Sequence, residues 1–133
     1  MKRFLRFAAL ILICLFIVVL LFALIFLRGM GDVMKIEITD IDLSKISDGE
    51  YFGKFESGRW QYYVKVFVSN REIKNVEILN DKCGFIDMDK YDDVNIQVIS
   101  RVLERQSLRI DAVTVATINT KALLKAIENA LVN

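Results

Sequence analysis

Apolar and polar positions fall into two regimes that change near residue 28. From residue 7 to residue 27, FAALILICLFIVVLLFALIFL, 21 residues pass without a charge. At about 1.5 Å per residue, a helix of that length matches the ~30 Å hydrocarbon core of a bilayer. Beyond it the pattern becomes short-ranged and amphipathic. Residues 34–43, MKIEITDIDL, set Ile36, Ile38 and Ile41 among polar neighbours and read as a strand or the lead-in to one. Asp48-Gly49 and Ser57-Gly58 are turn signals on either side of residues 50–56. Residues 59–68 alternate strictly, with Trp60, Tyr62, Val64, Val66 and Val68 on one face and Gln61, Tyr63, Lys65 and Phe67 on the other. The SNRE stretch turns the chain, and residues 73–79 return with Ile73, Val76 and Ile78, which predicts a hairpin. Residues 80–93 are polar and irregular and read as a loop. Val94, Val98, Ile99, Val102 and Leu103 then recur at helical spacing, as do Ala122, Leu123, Ala126, Ile127, Ala130 and Leu131 over residues 119–132.

That order predicts an α+β chain: a small antiparallel sheet packed with helices late in the chain, preceded by one N-terminal transmembrane helix. Residues 1–28 form the anchor, 29–45 a linker and lead-in strand, and 46–133 the folded domain. Gly29 and Gly31 are expected to make a short flexible exit from the membrane.

Charge refines this picture. Lys2, Arg3 and Arg6 precede the apolar run and only Arg28 follows it. The positive-inside bias therefore predicts a single-pass cell-membrane protein with a cytoplasmic N-terminus and an extracytoplasmic C-terminal domain. A cleaved signal peptide would have a shorter apolar core, of about 7 to 15 residues, and a small-residue cleavage site. The FLRGMGD stretch offers no such site. Outside the anchor, 14 Lys/Arg face 17 Asp/Glu, a mildly acidic domain that suits neither nucleic acid nor an anionic membrane surface. An extracytoplasmic domain has no access to ATP or cytosolic NADH, so redox chemistry there requires a bound cofactor or a partner.

The chain has no histidine, which excludes Ser-His and Cys-His dyads and His-Cys metal sites. Cys14 lies in the apolar run, so it is not expected to pair with Cys83, and Cys83 reads as a tolerated free thiol. Asp87, Asp89, Asp92 and Asp93 lack the spacing, central glycine and terminal glutamate of a calcium loop, so a solvated acidic loop is expected and no metal site.

The densest cluster of candidate chemistry is DAVTVATINT, residues 111–120. A helix starting at Ile118 or Asn119 leaves four backbone N–H groups unpaired. Thr117 or Asn119 can cap one of them. The same N–H groups and the helix dipole also favour an anion, for which Thr114, Thr117 and Thr120 would complete a phosphate cradle. Surplus caps and a phosphate site are both consistent with these residues.

Three landmarks resemble the FMN-binding domain family, which includes the flavin-carrying subunits of bacterial membrane redox pumps and related extracytoplasmic electron carriers. DGEYFGK at 48–54 is similar to the family's D-G-x-Y-x-G. VKVFVSNREIKNVEIL at 64–79 is similar to its hairpin. RQSLRIDAVTVATINTKALLKAIENAL at 105–131 is similar to Q-S-x-x-(V/I)-D-A-V-S-G-A-T-x-T-S followed by a helix. The resemblance spans roughly residues 46–132. It implies an electron carrier with no catalytic acid or base of its own. It also implies FMN held by a phosphoester bond that a flavin transferase makes at Thr117, within a site of Asp111, Thr114, Ala116, Thr117, Asn119 and Thr120. The membrane, the transferase and an unnamed redox donor and acceptor are the implied partners, with no nucleic acid. The family's Gly is Val115 here, and β-branched Val suits neither close backbone approach nor positive φ. Three readings stay open: the turn does not need the glycine, the flavin binds without a covalent link, or the fold has become a flavin-free binding or structural module.

Further residues carry two readings each. Tyr51, Phe52, Trp60, Tyr62 and Tyr63 are either aromatics for the isoalloxazine ring or ordinary cross-strand and core residues. Gly53 serves a bulge, a turn or a flavin edge. Lys121 and Lys125 either assist a phosphate or lie on a solvated face.

Overall fold

Helix α1, Lys2–Leu27, contains no buried residue, as suits a helix that is apolar all round. It is long and apolar enough to cross a membrane. The computed structural model describes residues 1–83, 86, 87, 91–111 and 116–132. Cys83 is described only as backbone. Gly29 then turns the chain at φ 83° into the short helix α2, Met30–Met34, which buries Val33 completely in the core of the domain.

Of the two glycines expected to make a flexible exit, Gly29 is a packed corner and Gly31, within α2, has open space around it. A Cβ on Gly29 would stand 2.7 Å from Cα of Gly58, and one on Gly58 would stand 2.6 Å from the carbonyl oxygen of Arg28. Two backbones touch here because neither residue carries a side chain. Gly58 also needs its φ of +57°, which glycine adopts freely.

The alternating segment 34–43 also departs from expectation, since it joins no strand ladder. Its apolar positions Ile36, Ile38 and Ile41 do lie half-buried against the core. Its backbone groups are met by side chains instead of a sheet edge. Lys121 Nζ donates to the Ile36 carbonyl at 3.2 Å, and the Thr39 N–H donates to Glu128 Oε2 at 3.1 Å. Alternation reports a two-faced extended segment, and that condition holds equally for a strap laid across a helix. The strap ends in a 3-10 turn, Leu43–Lys45, capped by Asp42.

The sheet has strand order β1-β2-β3-β4, all antiparallel, with β1 Gly49–Ser57, β2 Trp60–Ser69, β3 Glu72–Cys83 and a two-residue β4, Ile86–Asp87. Strand β2 buries Trp60, Tyr62, Val64, Val66 and Val68, as its alternation requires. Asn70 and Arg71 connect it to β3, both at positive φ (53° and 61°), the geometry that matches strand twist in a two-residue hairpin. Val66 opposes Val76, yet Val68 opposes Ile73, and Tyr63 opposes Asn80 while Val64 opposes Ile78. Each shift inserts one extra residue in β3. The first bulge lets Ile73 and Val76, three apart, both face the core. Strand pairing continues into residues 81–83, 86 and 87, part of what the polar pattern marked as loop.

Helix α3, Asp92–Arg105, begins with Asp92 and Asp93 and ends with Arg105, charges that complement its dipole. It buries Val98 and Val102, with Val94, Ile99 and Leu103 packed beside them. Tyr62 Oη donates to Asn95 Oδ1 at 3.2 Å, and Asn95 Nδ2 donates to Asp81 Oδ2 at 3.0 Å, so a polar chain links α3 to the sheet. Helix α4, Thr117–Val132, buries Ala122, Leu123, Ala126 and Ile127 against β1 and β2. It starts two residues earlier than Asn119.

Gly53 makes this packing possible. It sits within the continuous β1–β2 register, so it serves neither a bulge nor a turn. A Cβ there would fall 2.0 Å from the Ala126 carbonyl oxygen and 2.7 Å from Ala130 Cβ. Helix α4 therefore rests on bare strand backbone. Gly53→Ala should force α4 outward and destabilise the full-length protein by about 3 kcal/mol or more, as overpacking against backbone does. Chemical denaturation in detergent micelles would show this. A midpoint within error of wild type would mean that α4 does not seat on this residue.

Candidate functional site

The N-terminus of α4, the β1–β2 corner and α2 meet around a cleft of about 370 Å³. Thr117 and Asn119 line it from α4, Arg59 and Trp60 from the corner, and Met30 and Met34 from α2, with Tyr91 at the start of α3. The volume lies at the small end of the usual range for ligand pockets, about 300–1,000 Å³. Among the described residues that line the cleft, Arg59 is the only charged one. Its guanidinium lies 3.7 Å from the Phe26 ring centroid and 4.6 Å from that of Trp60. Its Nε is buried and has no hydrogen-bond partner among the described residues. No acidic residue occupies the first turn of α4, so the N–H groups at that end face no carboxylate from their own first turn.

The structure sorts the hydroxyl-rich segment. Thr117 is the first helical residue, half-buried at the cleft wall. Asn119 is buried and lines the same cleft. Ala116 is also buried there, and its carbonyl accepts from both the N–H and the hydroxyl of Thr120, each at 2.9 Å. Thr120 is 1% exposed, and its hydroxyl is bonded within the first helical turn instead of lining the cleft. Asp111 is exposed and is not among the cleft residues; its carbonyl accepts from Arg101 Nη1 at 2.9 Å. Thr114 and Val115 lie outside the described residues.

The two lysines carry structural duties. Lys121 Nζ donates to the carbonyls of Met34 and Ile36, and Lys125 Nζ pairs with Glu128 at 2.8 Å. Of the five aromatics, only Trp60 reaches the cleft. Tyr62 is in the core, Tyr51 packs at its edge, Phe52 is 65% exposed, and Tyr63 bonds Glu56 on the outer sheet face. Among the described residues no group of three or more acidic or thiol side chains could hold a metal ion.

Arg59, Met30, Met34 and Tyr91 had no sequence signal as site residues. Arg59 is one basic residue among many, and nothing in the pattern foretells that α2 folds back beside it. A second group missed from sequence supports the approach to α4. Gln106, at φ 52° after α3, uses its amide as a surrogate peptide. Its Oε1 accepts from the Ile73 N–H at 2.7 Å, and its Nε2 donates to the carbonyls of Ile73 at 3.0 Å and Leu103 at 2.7 Å. The next residue, Ser107, donates to Asp40, which also accepts from the Leu108 N–H at 3.0 Å. The strap thereby holds the chain that leads to α4.

Fold and site together define a small α+β domain with a ligand-sized cleft at the corner where it meets an apolar N-terminal helix. Residues 57–132, more than half of the chain, match the family model of the FMN-binding domain. The chain belongs to the FMN-binding domain family. No individually curated protein matches it.

Asp40 makes this scaffold sensitive to acid. Burial pushes its carboxyl pKa up, but donors from Leu108, Ser107 and Ile41, with Arg109 nearby, outweigh that and hold it below the ordinary aspartate value. A carboxyl lowered in the folded state contributes stability above its unfolded pKa of about 3.9 and loses it as pH falls through the folded value. The melting temperature should therefore drop below about pH 4, with part of that drop absent in Asp40→Asn. At pH 7 the substitution should cost about 1–3 kcal/mol, read by denaturant titration. An unchanged acid limb in Asp40→Asn would remove Asp40 from this role.

Proposed function

We propose that the protein is a membrane-anchored, extracytoplasmic flavin electron carrier with FMN attached through its phosphate to Thr117. One observation carries this reading: the residue at the family's acceptor position opens α4 and lines the cleft. Unpaired N–H groups and the positive end of the helix dipole favour a phosphate at that point. Asn119 supplies a polar side chain beside it, and Trp60 and Tyr91 offer aromatic surface for a ring system. When bound, the flavin supplies reversible electron acceptance and release. The protein attaches it, restricts water around it and sets its electrostatic surroundings.

The anchor reading has support of its own. Phe26 and Gly29 touch the domain, and Val33 lies in its core. An uncleaved helix therefore has a structural place. With Lys2, Arg3 and Arg6 on the near side, the domain emerges outside the cytoplasm. A redox donor and acceptor at the membrane and a flavin transferase complete the proposal.

The test is an intact denatured mass of the full chain after co-expression with a flavin transferase. The expected result is a gain of one FMN minus one water on the peptide containing Thr117, absent in Thr117→Ala. Yellow protein that releases its flavin on denaturation would replace covalent attachment with simple binding. Colourless protein of unmodified mass that takes up no added FMN would favour a flavin-free module of the same fold.

A further inference from the structure

We propose that Arg59 is the phosphate-recognition residue of the cleft and that Phe26, in the last turn of the N-terminal helix, holds its guanidinium in place. The proposal rests on the flavin carrier function and extends it to two residues outside the acceptor motif. Arg59 is the second residue of the β1–β2 turn and lines the Thr117 cleft. Its guanidinium lies close to two aromatic rings, Phe26 and Trp60. Such contacts position a planar cation while using none of its N–H donors. A buried donor on a charged group is costly when unpaired, yet Nε has no partner among the described residues. Asp32 and Arg28 share a second recess with Arg59, but among the described residues no carboxylate reaches ion-pair distance of it. A guanidinium held against two rings, its Nε without a partner among the described residues, and the N-terminal end of α4 border one cleft, and no acidic side chain is present among the described residues that line it. That combination suits a dianionic phosphate better than a neutral ring, because charge-assisted forked donors match its oxygens.

Phe26 belongs to the apolar helix and not to the FMN-binding domain as matched, which begins at residue 57. The anchor would thus contribute to cofactor recognition as well as tethering. Phe26 acts as a positioning residue, since it reaches the ligand only through Arg59.

The experiment uses the full chain in lipid nanodiscs, made without a flavin transferase and titrated with FMN and, separately, riboflavin. Quenching of flavin fluorescence is the readout, and a thermal melt of each variant checks folding. Wild type should bind FMN more tightly than riboflavin. Arg59→Met should weaken FMN about tenfold, the value of one charge-assisted contact, and leave riboflavin unchanged. Arg59→Lys should recover part of the loss. Phe26→Leu, which keeps the helix apolar, should weaken FMN about threefold alone and add nothing in the Arg59→Met background, as coupled residues do. Unchanged FMN binding in Arg59→Met would overturn the proposal, as would equal losses for FMN and riboflavin. Additive effects of the two substitutions would overturn the part assigned to Phe26. If wild type binds no FMN, the proposal fails; Thr117 still modified by a transferase would then leave the carrier function standing, and an unmodified Thr117 would remove both.

Discussion

The contact between α4 and the bare backbone of β1 at Gly53 governs where the elements around the cleft can sit. With 2.0 Å between a notional Cβ and the Ala126 carbonyl oxygen, the helix has no room to shift toward the strand. The small residues Ala122, Ala126 and Ala130 face the sheet side of the helix, so the approach is close along its length. A helix seated on backbone has its axial position fixed by hard contacts, and its first residue is therefore fixed as well. Thr117 reaches the cleft because α4 is clamped two to three turns further on.

A second constraint acts from the opposite end of the chain. Residues 28–46 form a strap from the N-terminal helix across α4 and toward the segment after α3. Gly29 against Gly58, Val33 in the core, Lys121 on the Ile36 carbonyl and Asp40 on Ser107 and Leu108 are successive points along it. Each joins residues distant in sequence. The apolar helix and the FMN-binding domain are thus connected through packed contacts, and one wall of the cleft, Met30 and Met34, belongs to α2 between them. A ligand in that cleft would sit near the end of the apolar helix, whose Phe26 ring lies against the lining residue Arg59.

Much of the architecture is legible in the residue pattern. The alternation in Trp60, Tyr62, Val64, Val66 and Val68 marks β2 because one face of the sheet is buried and the other is not. The i, i+4 spacing of Val94, Val98 and Val102 marks α3 for the corresponding reason in a helix. The strap misleads because alternation records which side is buried and not what supplies the hydrogen bonds. The hydroxyl cluster resolves only in space: Thr117 and Asn119 line the cleft, while the Thr120 hydroxyl turns back onto the Ala116 carbonyl. Thr117 opens the helix, whereas Thr120 has the carbonyl of the residue four positions back, Ala116, within reach of its hydroxyl.

Local pattern is enough to specify the long apolar helix, the antiparallel hairpins, the two late helices and the hydroxyl-rich motif around Thr117. These depend on periodicity, turn chemistry and short motifs, all carried by neighbouring residues. Folding in three dimensions was needed to set Arg59 beside Phe26 and Thr117, to make two glycines the corner beneath the cleft, and to hold the chain after α3 on Asp40. Those arrangements come from contacts between residues tens of positions apart, where close packing selects the partner and no local pattern encodes it.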